Sequence, residues 1–360
     1  MTRFILRRVL QGIIVLWLIT VGVFGIFFIG PGAKQVPRVL AGKDATPQVI
    51  AEVTRRLQLD RPIYEQYWHF VWLLLHGNLG YSFYHGQSVN SVLKAAFPIT
   101  LSLVIGAAII WVVLGVLSGV LSAVRSRSLA DRVVTGVALF FYSMPTFVLG
   151  LLLLLVFYYE LTIHGIHAFP ASYIPFGQSP WGWFRSLILP WFTLALVSAA
   201  TYTRLTRGSM LDVMNEDYIR TARAKGLSER RVVFRHSLRA ALTPIVTQFG
   251  LDVGILLGGA VITEVVFSMP GLGYTAVASI NQQDLPVIIG VVVVASTAVV
   301  VANIVVDAFY AVLDPRVRLH SLVCLARPPA GGPAGWPAPP MGGTGCLSPP
   351  GRTAWGGTWP

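Results

Sequence analysis

Charge is scarce in this chain. Asp, Glu, Lys and Arg make up 12% of its 360 residues, about half of the roughly 25% usual in soluble domains. Acids are the scarcer sign, 15 against 27 bases. There are only two cysteines, Cys324 and Cys346, both near the C-terminus, which leaves no disulfide framework and no Cys/His zinc spacing. The histidines are scattered and form no HExxH, so no metal site is expected. A GxxxxGK[ST] phosphate loop is missing too: the only Gly-Lys pair, Gly42-Lys43, runs into Asp44. The chain is therefore not expected to hydrolyse ATP. Without a GxSxG elbow either, an enzyme is poorly supported.

What fills the space is apolar. Hydrophobic residues make up 54% and the mean hydropathy is +0.68. Six runs are candidates to cross a bilayer, which takes about 20 apolar residues: 9–29, 99–124, 133–159, 187–203, 245–267 and 287–313. This predicts an all-α integral membrane protein. The first run follows Arg3, Arg7 and Arg8. It is longer than the about 7–15 residues of a signal-peptide core, and no small-residue cleavage site follows it. Residues 1–8 then form a short cytoplasmic N-terminus ahead of an uncleaved span. Pro145 should kink the third run, whereas Pro190 lies near the start of the fourth and is better tolerated.

The bases sort by loop. Residues 204–239 carry nine Lys/Arg against four Asp/Glu, while 160–186 carry only Arg185 and 268–286 none. That bias predicts six spans with both termini in the cytoplasm, and it accounts for the net charge of +12 without nucleic acid. The bases within 31–98 argue weakly the other way, because long loops follow the rule poorly. That extracytoplasmic interval holds a helical pattern over 47–59 and a Tyr/Trp-rich one over 64–76, suited to a membrane interface or equally to a small folded cap. Residues 320–360 are Gly/Pro-rich, with 18 Gly or Pro between Arg327 and Pro360, and are expected to be disordered.

The most structured polar stretch is EDYIRTARAKGLSERRVVFRHSLRAALTP, residues 216–244, within the cytoplasmic loop 204–244. Asn215 is placed to cap a first helix. Glu216 and Asp217 fall in its first turn and Arg223 and Lys225 in its last, the order the helix dipole favours. Gly226 suits the left-handed position that ends a helix, and Ser228 can cap a second. Such a defined structure between two spans reads as a docking element for a partner.

Inside the spans lie Asp252, Glu264 and Asp307. A carboxylate in the bilayer is costly and a functional candidate by default. Asp252 either lines a pathway or bonds Asn303 or another helix. Glu264 lies toward the outer end of its span. Asp307, near an inner end, reads as a structural partner for a loop arginine. Gly115-x-x-x-Gly119 and Gly258-Gly259-Ala260 allow close helix approach.

At Asp217-Tyr218-Ile219-Arg220-Thr221-Ala222-Arg223-Ala224-Lys225-Gly226-Leu227-Ser228 the chain resembles the coupling loop of bacterial ABC importer permeases of the dipeptide/oligopeptide/nickel group. The resemblance covers residues 1–319. It includes Leu59-Asp60-Arg61-Pro62, Gly77-Asn78-Leu79-Gly80, Ser143-Met144-Pro145-Thr146-Phe147, Glu264-Val265-Val266-Phe267-Ser268-Met269-Pro270-Gly271-Leu272-Gly273 and Leu313-Asp314-Pro315-Arg316-Val317-Arg318. Gly226 and Leu238 fit the general pattern EAA-x3-G-x9-I-x-L-P. Its EAA positions hold Arg220, Thr221 and Ala222, its isoleucine is His236 and its proline Arg239, a departure usual in the peptide branch. Gly30-Pro31-Gly32-Ala33 also departs from the Pro-Gly-Asp-Pro of many relatives.

The resemblance implies a type I importer permease, residues 9–319, in the bacterial cytoplasmic membrane. Asp217, Tyr218, Arg220, Thr221, Ala222, Arg223, Lys225 and Gly226 would form the coupling helix that docks on an ATP-hydrolysing subunit. Asp252, Glu264 and Asn303 are the candidate translocation-path residues. The implied partners are a second homologous permease, two ATP-binding subunits carrying ATP and Mg²⁺, an extracytoplasmic substrate-binding protein and membrane lipid. This chain itself would bind no cofactor. Peptides are the expected solutes, with nickel and glutathione-like compounds open. The alternative, a stand-alone secondary transporter or channel, would need paired mid-membrane ionisable groups or an internal repeat, and neither is evident.

Overall fold

A computed structural model describes residues 2–29, 46–56, 60–82, 84–170 and 172–313. All lie in the first of two compact units, Met1–Pro315. The 30–33 departure, the C-terminal motif beyond Leu313, the tail and the side chain of Asp307 fall outside the described part.

Apart from one two-stranded hairpin, the described elements are helices. Helix α1 (Thr2–Phe24) runs on into a wider π turn, Gly25–Ile29. Two shorter helices follow, α2 (Pro47–Arg56) and α3 (Ile63–Leu75). Strands β1 (Tyr81–Ser82) and β2 (Gln87–Ser88) pair antiparallel. Ser88 then caps the long α4 (Val89–Val124) through the Ser91 amide. Next come α5 (Leu129–Ser143), α6 (Thr146–Leu153) and α7 (Pro180–Met214). The basic loop contributes α8 (Asp217–Ala224). The last four are α9 (Leu238–Gly259), α10 (Val261–Val266), α11 (Leu272–Gln282) and α12 (Leu285–Leu313).

Among the described residues, five helical stretches are long and apolar enough to cross a membrane: Leu6–Ile29, Val89–Val124, Thr146–Ile163, Pro180–Met214 and Leu285–Val306. Two expected spans are cut differently. The run 133–159 is not one helix. Pro145 has an extended backbone and stands ahead of α6, because the residue before a proline is pushed out of the helical region; Met144 is extended accordingly. The long apolar helix is therefore Thr146–Ile163, and α5 is separate. The run 245–267 is interrupted at Ala260 into α9 and α10. Helices α4 and α7 also extend well past the apolar runs 99–124 and 187–203, carrying Pro98 and Pro190 inside them.

The α4–α7 pair is the centre of the bundle, and small residues set its spacing. A Cβ on Gly106 would lie 2.1 Å from the Trp191 ring, one on Gly115 2.4 Å from Tyr202 Cβ, and one on Gly119 2.5 Å from Thr206 Cβ. Lipid offers apolar side chains no reason to prefer one another, so van der Waals contact and hydrogen bonds at close range must hold such helices. Both are present. Trp191 Nε1 donates to Ser102 O at 3.0 Å, and the Ser118 and Thr203 hydroxyls are 2.7 Å apart. Around this seam lies the main core, with Trp111, Leu103, Leu187, Leu194, Tyr202 and Ile245. Large side chains on the outside of α1, such as Leu10, Ile13, Trp17 and Leu18, are exposed, as befits a surface turned to lipid.

Candidate functional site

The basic loop folds on itself. Helix α7 ends at Asn215, whose side-chain Nδ2 donates back to Leu211 O at 3.0 Å. Its φ of −91° and ψ of −6° are helical, and an N-cap needs extended backbone. So Glu216, at φ −70° and ψ 147°, opens α8 in place of the expected Asn215. Ile219 and Ala222, three apart and hence on one face, are buried against Val232 with Val213 and Leu227 around them. Asp217, Tyr218, Arg220, Thr221, Arg223, Lys225 and Gly226 are exposed. The candidate docking surface thus keeps seven of its eight residues, and Ala222 belongs to the loop's own small core.

The turn at the end of α8 is built as the sequence indicates. Gly226 has φ +76°. Its amide bonds Arg223 O at 2.9 Å, and the Leu227 amide reaches Ala222 O at 3.4 Å, the paired pattern of a Schellman ending with its apolar contact through Leu227. Arg223 then grips Glu229 across the turn, Nη2 to Oε1 at 2.8 Å and Nε to Oε2 at 3.2 Å. That guanidinium holds the Glu229 carboxyl below its ordinary value. Ser228 stands at the start of the next helical turn, Glu229–Arg231, with no side-chain cap bond.

Beside the loop, Asp131 ties three helix ends together. Its carboxylate accepts both Nε and Nη2 of Arg207 at 2.8 Å, the Arg127 amide at 2.8 Å and the Ser122 hydroxyl. These bonds, the Arg207 pair first, push its pKa well below the usual carboxylate range. Arg127 takes φ +63° to present its amide. Nothing in the sequence points to Arg207 as the partner of Asp131, 76 positions away.

The candidate path residues part company. Glu264 is fully buried. It accepts from Thr100 Oγ1 at 2.6 Å and from the Tyr274 amide at 2.9 Å, while Thr100 Oγ1 accepts from the Leu272 amide at 2.8 Å. A Cβ on Gly271 would fall 2.5 Å from the Glu264 carboxyl, so that glycine gives the carboxylate its room. Glu264 joins α10, α4 and α11 and presents no open face here. Asp252 is half-buried and takes a hydrogen bond from Gln248 Nε2 at 2.9 Å, one turn back on α9. The alternative bond to Asn303 is not formed. Asn303 is exposed on α12 and lies against Gly254, where a Cβ would be 3.0 Å from its Oδ1. A buried group that the sequence gave no sign of, Tyr202, lies close to Asp252: its phenol sits in the field of the carboxylate and next to the Trp111 indole.

At the other end of the bundle, Asp284 accepts from the Ser82 hydroxyl and lies 3.1 Å from His85 Nδ1. The β-hairpin is thereby pinned to the start of α12.

Gly-spaced helix contacts, a self-supporting loop helix and acids held inside apolar helices mark a helical membrane protein. The chain belongs to the family described as the binding-protein-dependent transport system inner membrane component, which it matches over residues 111–319. Residues 1–104 match the N-terminal module of the same membrane components. It is the permease subunit of an ABC importer. It is 39% identical over 318 residues, 88% of this chain and 99% of the relative, to a putative peptide transport system permease protein of Brucella abortus. It is 38% identical over 319 residues, again 88% and 99%, to the glutathione transport system permease protein GsiC of Escherichia coli K12. Among solved structures, an inward-facing MetNI methionine ABC transporter chain aligns with a TM-score of 0.49 at 19% identity, over 62% of this chain and 96% of that one.

Proposed function

We propose that this chain forms half of the translocation path of an ATP-driven importer for peptides or related small solutes in a bacterial cytoplasmic membrane. On this reading it crosses six times, α9 and α10 together supplying the crossing expected over 245–267, with both termini and the 204–244 loop in the cytoplasm. Helix α8 is the coupling helix, docking through Asp217, Tyr218, Arg220, Thr221, Arg223 and Lys225 on a partner ATP-binding subunit. A second permease, a second ATP-binding subunit and an extracytoplasmic binding protein complete the assembly. ATP and Mg²⁺ belong to the partners, and this chain carries no cofactor and no catalytic residue. Asp252 and Asn303 are assigned to the path, and Glu264 to a tie at its outer end. The solute class is supported by the peptide and glutathione permeases that resemble the chain along nearly their whole length.

One observation carries the coupling role. The inner face of α8 is filled by the loop itself, through Ile219, Ala222, Leu227 and Val232, so its polar outer face is left free for another protein. The test is affinity purification of the tagged chain from detergent-solubilised membranes. Two ATPase chains and a second permease should co-purify, and their recovery should fall with Gly226→Pro. A chain that purifies alone would favour the stand-alone transporter.

A further inference from the structure

Three helices bring polar groups to one place inside the bundle. Trp111 of α4 and Tyr202 of α7 are fully buried, with ring centroids 6.2 Å apart, and the Phe249 ring of α9 lies tilted at 6.1 Å from Trp111. Trp111 Nε1 and Tyr202 Oη complete no hydrogen bond of good geometry within the chain, and the phenol stands close to both the indole and the Asp252 carboxylate. Next to them stands Asp252, held by Gln248. Among the described residues no Lys, Arg or His pairs with Asp252: the ion pairs are Arg61–Glu65, His85–Asp284, Arg207–Asp131, Arg220–Asp217 and Arg223–Glu229.

The contrast with the other acids is informative. Glu264 and Asp131 are saturated by donors that the fold supplies. Asp252 has one side-chain donor of good geometry, Gln248, with the Tyr202 phenol close by, and keeps a half-open face in a helix surrounded by apolar side chains. A carboxylate kept in that setting without a cation is expensive. The missing positive charge is one that a passing solute can supply. Aromatic rings behind the carboxylate add to the attraction, because their faces are negative.

We propose that Asp252, oriented by Gln248 and backed by Tyr202 and Trp111, is a cation-selecting station of the passage that receives the ammonium group of the transported solute. The inference rests on the permease reading and deepens it. It places solute recognition within this chain, at Asp252.

The test uses the importer assembled with its partner subunits, in nanodiscs and without the binding protein. Cys324→Ser and Cys346→Ser remove the native thiols, and Gln248→Cys supplies one beside Asp252. Rates of modification are compared for a trimethylammonium and a sulfonate methanethiosulfonate, each relative to the neutral methyl reagent. That normalisation removes differences in access and thiol reactivity. A carboxylate at contact distance attracts the cationic reagent and repels the anionic one, so a cation-over-anion preference of at least about tenfold is expected. Adding Asp252→Asn should bring it to within about twofold. Failure of every reagent to label, or a preference unchanged by Asp252→Asn, overturns the proposal.

A second measurement covers the case in which Gln248→Cys prevents assembly. In proteoliposomes with the binding protein, ATP-driven uptake of labelled trialanine should fall at least about tenfold with Asp252→Asn, while Asp252→Glu keeps it within about threefold, both variants co-purifying with their partners. Wild-type uptake by Asp252→Asn overturns the station. If wild-type complex takes up no peptide but the labelling preference holds, the peptide assignment fails and the station stands.

Discussion

Replacing Gly226 separates backbone strain from side-chain contact. Its φ of +76° is left-handed, and a Cβ there would meet nothing within 4 Å. Alanine therefore costs conformational strain alone, about 1–2 kcal/mol. Asparagine, which visits that region more readily, should cost less. Proline is worst: its φ is locked near −65°, and it deletes the 2.9 Å bond from the Gly226 amide to Arg223 O. It would also swing Leu227 away from Ile219 and Ala222 and misplace Glu229 against Arg223. The loop core is small, so 1–2 kcal/mol shifts the folded-to-unfolded ratio of the loop by a factor of about 5–30. The assay is ATPase activity of the assembled complex with and without solute-loaded binding protein. Stimulation should decline in the order Gly, Asn, Ala, Pro, with membrane insertion unchanged. Full stimulation in Gly226→Pro, or Asn worse than Ala, would refute the reasoning.

Other substitutions test other contacts. Arg220→Glu reverses a charge on the exposed face of α8 and should lower stimulated ATPase activity without changing thermal stability of the purified chain; Ala222→Trp should lower both, since Ala222 is inside the loop core. Gly115→Leu pushes side-chain volume into a gap that already lacks room for a Cβ; overpacking of this kind costs about 1–3 kcal/mol, read as a lower melting temperature in detergent. Thr100→Val strands Glu264 Oε1 and the Leu272 amide, each at about 1–3 kcal/mol, and should speed proteolysis between α10 and α11. For Asp131, whose folded pKa is depressed, the stabilisation is complete above the ordinary value of 3.8 and lost as pH falls below it. Asp131→Asn should therefore melt lower than wild type by a constant interval from pH 7 to about 4, narrowing in stronger acid; an interval that widened on acidification would contradict the Arg207 pairing.

Local chemistry made the loop readable from sequence. Gly226 ends α8 because only glycine takes φ +76° without strain, and the Ile219/Ala222 spacing sets which face turns inward. Both are decided within a dozen residues. The apolar runs likewise announced helices, since a bilayer leaves backbone groups no other partner. Where the runs end was harder. Pro145 looked like a kink inside one helix and instead separates α5 from α6, and Asn215, suited by side chain to open α8, closes α7 because its backbone is helical.

The fate of the buried acids was settled by tertiary structure alone. Glu264, Asp252 and Asp131 look alike in sequence, three carboxylates in or beside apolar helices. Glu264 is consumed by Thr100 and the Tyr274 amide, and Asp131 by Arg207, Ser122 and the Arg127 amide. Asp252 is bonded by Gln248, with the Tyr202 phenol close by and no cation on it among the described residues. The distant ones, Arg207 and Thr100, lie 76 and 164 positions away along the chain, and the α4–α7 seam is held close by contacts that Gly106, Gly115 and Gly119 permit. Sequence fixes which groups can bond; only the packing of the helices decides which donor reaches which carboxylate, because a hydrogen bond requires approach to about 3 Å.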